Sequence, residues 1–214
     1  MTGRVRARRA QRGWSARWDR SRGQSLVEFA FVVPLFMLIL LGMLEFGIAF
    51  THDQTLAYAT REGARTGAAL GTGNSSYPCN ATTVGYFDAP IIAAVERVLE
   101  SPGSPINISN VTSITVYLAQ TNGSPTSGKV NVWTAGAGPT VDGKVLNFKQ
   151  TTAGWTCLAP RNNGDPADAL GVGITYNYPF QTSLGGIFKF MFGQTWSSLA
   201  MSDKTVMNLN PTAQ

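Results

Sequence analysis

Glu28 stands four residues after Gln24, at the start of an apolar run, and Gly23 closes an arginine-rich segment immediately before them. That spacing suits two kinds of chemistry. One is conditional: if the chain is cut after Gly23, Gln24 acquires a free α-amino group and Glu28 becomes the fifth residue of the shortened chain. The other is charge pairing. In a staggered stack of such helices, the Glu28 carboxylate of one subunit would meet the new ammonium of its neighbour, each neutralising the other in low dielectric. A lone ionised side chain costs about 2.5–3.5 kcal/mol at the centre of a membrane helix and less near its edge, so a partner or a headgroup environment is needed. The position of Glu28 alone serves either arrangement.

The elements that must hold these residues are a basic leader and a membrane helix. Eight arginines against one aspartate give residues 1–23 a charge of +7, and the chain total of +5 leaves −2 for the rest. The high isoelectric point therefore belongs to the leader. No basic patch, zinc-finger spacing or aromatic-basic interleaving follows Gly23, which argues against nucleic acid as a partner. From Phe29 to Phe50 the chain is almost wholly apolar. As a helix it reaches roughly 33 Å, enough to cross the hydrocarbon of a bilayer. The arginines lie on its N-terminal side, so the positive-inside rule keeps the N-terminus in the cytoplasm and exports the chain beyond residue 50. A cleaved secretory signal is the rival, but the helical pattern runs on through Thr51 to Gly71 without a convincing cleavage site at the far end. Pro34, six residues after Glu28, removes the hydrogen bond to the Ala30 carbonyl and should loosen or kink the helix. It serves either departure from the bilayer or no special purpose, since membrane helices tolerate proline.

The stretch Arg22-Gly23-Gln24-Ser25-Leu26-Val27-Glu28-Phe29-Ala30 resembles the processing site of type IV pilin-like proteins. With Pro34, Leu44-Glu45-Phe46-Gly47 and Ala59-Thr60-Arg61-Glu62-Gly63-Ala64-Arg65, it is similar in detail to the TadE family of minor pseudopilins from tight-adherence (Tad/Flp) pilus systems. The motifs cover residues 22 to about 67. The resemblance implies a bacterial protein cut between Gly23 and Gln24 by a prepilin-type aspartyl peptidase on the cytoplasmic face, with Glu28, Phe29 and Pro34 in the assembly element. It further implies other pilins and pseudopilins and an inner-membrane assembly platform as partners, and a place in the cytoplasmic membrane or, after processing, in surface pili. Phe29 departs from the tyrosine of the major Flp pilins, and the chain is far longer than those subunits. Both departures point to an accessory role in pilus biogenesis and adhesion. The alternative is an uncleaved single-pass membrane protein whose exported head binds a ligand or surface.

Beyond the bilayer, residues 51–71 read as an extension of the same helix, with Ala59, Gly63, Gly67 and Gly71 recurring every four residues. Such a ladder lets another element approach closely, whereas glycine in a solvated helix costs about 0.8–1 kcal/mol relative to alanine. The approaching element is either the chain's own head or a neighbouring subunit. Arg61 and Arg65, with Glu62 beside them, read as a solvated face.

Residues 72–214 are long enough for a domain with its own core. Asp88-Ala89-Pro90 can cap a short helix with Ile91, Ile92, Val95, Val98 and Leu99 on one stripe, ended by Ser101-Pro102-Gly103. Alternation marks strands around Ile114–Leu118 and Val172–Phe180, with shorter candidates at Lys129–Thr134, Val145–Lys149 and Trp196–Leu209. The expected fold is α+β and pilin-like: a long N-terminal transmembrane and stalk helix packed on an antiparallel β-sheet head, with one short extra helix. Its parts are a leader (1–23), a transmembrane helix (24–50), a helix extension (51–71) and an extracytoplasmic head (72–214). Cys79 and Cys157 both fall on the exported side, where a disulfide between them, worth about 3–5 kcal/mol in the chain-entropy model, competes with two separate thiols.

Catalysis finds little support. His52 beside Asp53 reads as an interfacial residue, and no nucleophile elbow, phosphate loop or two-histidine metal helix is present. Gly71-Thr72-Gly73-Asn74-Ser75-Ser76 lacks the lysine of a phosphate loop and reads as a flexible joint. No enzyme activity, metal or cofactor is expected.

Overall fold

A computed structural model describes residues 18–71, 87–156, 161–162, 166–193 and 197–209. The chain divides into two compact units, Met1–Met43 and Leu44–Gln214. Helix α1, Trp18–Leu70, begins in the first unit and ends in the second. In the first unit its apolar side chains point outward. Phe29 is 67% exposed and Phe31 77%, and none of the helix's most apolar window is buried. By length and composition this helix can cross a membrane. It starts five residues before Gly23, so the leader's last residues are helical and the Gly23–Gln24 bond lies within the helix.

The second unit is built on a five-stranded antiparallel sheet. Its elements after α1 are α2 (Ala89–Leu99), a 3-10 turn (Ile108–Asn110), β1 (Val111–Ala119), β2 (Pro125–Ala135), β3 (Thr140–Val141), β4 (Lys144–Val145), β5 (Phe148–Ala153), β6 (Ala169–Pro179), α3 (Leu184–Phe192) and β7 (Ser198–Asn208). The sheet order is β5-β2-β1-β6-β7, and β3 pairs with β4 in a separate hairpin. Asp142 and Gly143 turn that hairpin with φ of 50° and 81°, the positive pair that a two-residue Asp-Gly loop supplies.

β6 shows how alternation becomes a core. Leu170, Val172, Ile174, Tyr176 and Tyr178 are all buried on one face, against α1 and α2. Gly171 and Gly173 fall on the other. A Cβ at Gly171 would sit 2.3 Å from the ring of Tyr117, so the missing side chain makes room for an aromatic cover across the strand pair.

α2 starts where the sequence places it, though not by the expected cap. The Asp88 side chain makes no capping bond, and its backbone carbonyl accepts from Ile91 and Ile92 at 2.9 and 3.0 Å. Its carboxylate is used elsewhere. Buried Glu96 of α2 accepts from the Asn147 backbone N–H at 2.8 Å and from its side chain at 3.1 Å, which ties the loop between β4 and β5 to the helix. Burial raises the Glu96 pKa, and the Asn147 hydrogen bonds offset part of that rise.

The architecture is α+β, with a long apolar N-terminal helix, an antiparallel sheet and a short extra helix, α2. Three details differ from the sequence reading. β2 extends well beyond Lys129–Thr134, the Val145–Lys149 candidate is divided between β4 and β5, and α3 is a further short helix.

Candidate functional site

Gly23, Gln24 and Glu28 occupy consecutive turns of α1, and helical spacing brings residues four apart onto one side. The Gln24 side-chain amide donates to a Glu28 carboxylate oxygen at 3.1 Å. Both side chains are exposed, and a Cβ placed on Gly23 meets no atom within 4 Å. The junction therefore presents an open glycine beside a carboxylate already engaged by the residue that hydrolysis would make the first. A peptide bond inside a helix has its carbonyl committed to the i+4 N–H, so a protease would have to unwind it, and glycine is the cheapest common residue to unwind short of proline. Phe29 projects outward, and Pro34 sits exposed inside the continuous helix.

A second carboxylate in the apolar run has a different fate. Glu45 is 5% exposed. The Tyr178 hydroxyl and the backbone N–H groups of Gln181 (2.9 Å) and Thr182 (2.8 Å) all donate to it. This clasp fixes the end of β6 and the residues leading into α3 against α1. Tyr178 is kept a neutral donor, since burial and then the bond to Glu45 raise its pKa. About two helical turns further on, His52 is buried with its ring 4.9 Å from that of Tyr178 and 5.7 Å from that of Tyr176. Its Nδ1 makes no hydrogen bond, and burial lowers its pKa. His52 is thus a core residue packed between tyrosines, not an interfacial one.

The third charged group is internal. Arg161 donates to the Asp88 carboxylate at 2.7 Å, with the two side chains 1% and 2% exposed, and its guanidinium lies over the rings of Phe87 and Trp155 at 4.5 and 4.2 Å. Asn131 on β2 also donates to Asp88 and, at 2.7 Å, to the Trp155 carbonyl. Paired and buried, though the Arg161 Nε lacks a hydrogen bond, these groups lock the start of α2 to β2 and are closed to a substrate.

The glycine ladder meets the chain's own head. A Cβ on Gly63 would lie 2.6 Å from Val95 and 3.3 Å from Val172, and one on Gly67 would lie 2.8 Å from Leu170 and 3.0 Å from Ile91. Ala59 is fully buried beside them. Gly71 serves another purpose, since its φ of 54° and its N–H bond to the Gly67 carbonyl end the helix. On the opposite side, Arg65 is 78% exposed and reaches Glu62 at 3.9 Å, a solvated pair of little energetic weight. Cys79 and Cys157 lie outside the described residues, as does most of the glycine-rich segment after Gly71. Among the described residues no three of His, Cys, Asp and Glu come together as a metal site would require.

The segment that carries the junction, the apolar run and the first half of the ladder is the one that resembles a known family. Residues 23–65 match the TadE-like protein family. No curated protein and no solved structure matches the chain. The TadE-like segment ends before Gly67, so the match speaks for α1 and leaves the sheet to be read from its own residues. Together with the apolar helix, it supports a membrane protein associated with a tight-adherence pilus. Glu45 lies in the TadE-like segment and was visible in the sequence as a carboxylate in apolar company. Its partners, on β6 and the following turn, had no local signal to announce them.

Proposed function

We propose that the chain is a minor pseudopilin, anchored by α1 and then assembled into, or assisting, a tight-adherence pilus, where its head contacts other pilus components. The observation that carries this reading is the Gly23, Gln24 and Glu28 arrangement inside the TadE-like segment. Cleavage after Gly23 leaves an ammonium and a carboxylate on neighbouring turns of one exposed helical face. The next subunit's helix can then pair with them in low dielectric, so the charge that makes Glu28 costly in isolation becomes a register mark in a stack. The prepilin-type peptidase, other pilins and the membrane platform are the partners this requires, and adhesion is the output to which the head contributes. Membrane insertion depends on the apolar run and not on Glu28.

Two measurements test the reading. N-terminal sequencing of protein recovered from cells should give a chain beginning at Gln24, and recovery of functional protein with the arginine-rich leader intact would refute processing. Glu28→Ala should leave membrane insertion and cleavage in place while abolishing pilus assembly or co-purification with pilus components. Normal piliation in that variant would remove the role given to the carboxylate.

A further inference from the structure

Helix α3 and its flanks carry exposed apolar side chains, Phe190 and Leu199, whose position along the chain bears on the bilayer. Glu45 is the first charged residue after Glu28 and interrupts the apolar run, and its carboxylate holds the N–H groups of Gln181 and Thr182, the residues just ahead of α3. The start of α3 is thus pinned to the point on α1 where a carboxylate breaks that run, five residues before Phe50. As a helix, Gln24 to Leu44 reaches about 31 Å, which already matches a hydrocarbon core of about 30 Å. Glu45 and its clasp then fall at the hydrocarbon boundary, and the next several ångströms belong to headgroups.

The residues at that level suit such a layer. α3 reads Leu-Gly-Gly-Ile-Phe-Lys-Phe-Met-Phe, and no aspartate or glutamate occurs from Gln181 to Leu199. Phe190 is 92% exposed, with Lys189 exposed beside it. Leu199, paired in β7 with Tyr178, is 49% exposed, and Phe46 and Phe50, within two turns of Glu45 on α1, are 73% and 54% exposed. Apolar side chains, a single cation and no acid form the pattern of a helix lying in the interface of an anionic membrane.

We propose that α3 is a membrane-interface element: it lies in the headgroup layer of the leaflet on the head's side, with Phe190 entering lipid and Lys189 meeting anionic headgroups. The inference rests on the reading of α1 as a membrane anchor. Its consequence is a head held against the bilayer at two places, α1 and α3, until the subunit is withdrawn.

The test uses the full chain in nanodiscs of phosphatidylethanolamine and phosphatidylglycerol, with a fluorescent amino acid replacing Phe190 or, as a comparison, exposed Asn122 in the β1–β2 turn at the other end of the sheet. Nitroxide-labelled lipid should quench the probe at 190 by about threefold or more over the probe at 122, and aqueous iodide should show the reverse order. Equal iodide quenching at both positions would overturn the proposal by placing α3 in water. Protection at 190 from both quenchers would overturn it by placing a protein surface there. A chain that fails to enter the discs would remove the anchor along with the inference, whereas incorporation without lipid quenching at 190 would remove the inference alone.

Discussion

His52 is buried against Tyr176 and Tyr178 with one ring nitrogen unpartnered, and its protonation would place a charge where nothing on the ring's Nδ1 side receives it. Burial therefore holds its pKa below the ordinary value near 6.5. The unfolded chain binds the proton more readily, so the contribution of neutral His52 to stability is complete above about pH 6.5 and is lost as pH falls below it toward the folded-state value. Glu96 acts in the opposite sense: its raised pKa makes its contribution greatest in acid and smaller as pH rises through the folded-state value. Comparison with His52→Gln, which cannot titrate, separates the two. The Tm of the parent should fall more steeply than that of the variant between about pH 7.5 and 5.5. Parallel pH profiles would show that His52 does not titrate differently on folding. The two carboxylates, Glu45 and Glu28, make the companion contrast, since Glu45 is held by Tyr178, Gln181 and Thr182 of the head whereas Glu28 has a side-chain amide on an exposed face. Only the second is left available to a neighbouring molecule.

Helix α1 contains glycines that differ in what surrounds them. Gly67 is pressed between Leu170 of β6 and Ile91 of α2, so Gly67→Val should overpack the helix–sheet layer and destabilise the head by about 1–3 kcal/mol, measured by urea unfolding followed in the near-ultraviolet. Gly47 lies on the same helix with no atom within 4 Å of the place a Cβ would take, and it should accept alanine with no loss and a gain of up to about 1 kcal/mol from helix propensity. Equal destabilisation by both changes would mean that helix flexibility, not close approach, selects the glycines. The ladder's spacing was legible in the sequence, but its partner was not: residues four apart announce a smooth face, and only the tertiary fold says what rests on it. β6 was legible because one of its faces is buried and the other is cleared by glycine, which keeps the period of two clean. α2 was legible from its apolar stripe. α3 was hidden, since two glycines and a nine-residue apolar run give neither the length nor the stripe that separates a helix from a buried strand. The proposed processing site could be suggested from the sequence because it is local, with Gly23, Gln24 and Glu28 within two turns. The Glu45 clasp was not, because its donors lie on the far side of the sequence.

For the molecule as a whole, the division of charge turns processing into a change of electrostatic class. The chain carries +5 and a sequence isoelectric point near 9.5, yet eight of its seventeen basic residues lie in the 23-residue leader. Removal of that leader takes away +7 and leaves −2, with the new α-amino group at Gln24 replacing the one lost with Met1. In the proposed topology an attached leader would hold the N-terminus to the anionic cytoplasmic surface, where each basic residue near the headgroups is worth about 1 kcal/mol, and would oppose withdrawal of the helix from the bilayer. Its proposed removal would leave one ammonium and one carboxylate at the N-terminal end of the span and release that tether. Pulse-labelled protein resolved by denaturing isoelectric focusing should therefore pass from a basic species to one focusing below pH 7, with Gly23→Val retaining the basic form because a β-branched residue blocks close approach to the scissile bond and resists the turn that must open. A functional protein that focuses only as the basic species would mean that the arginines stay in place and that assembly, if it occurs, proceeds without the charge inversion.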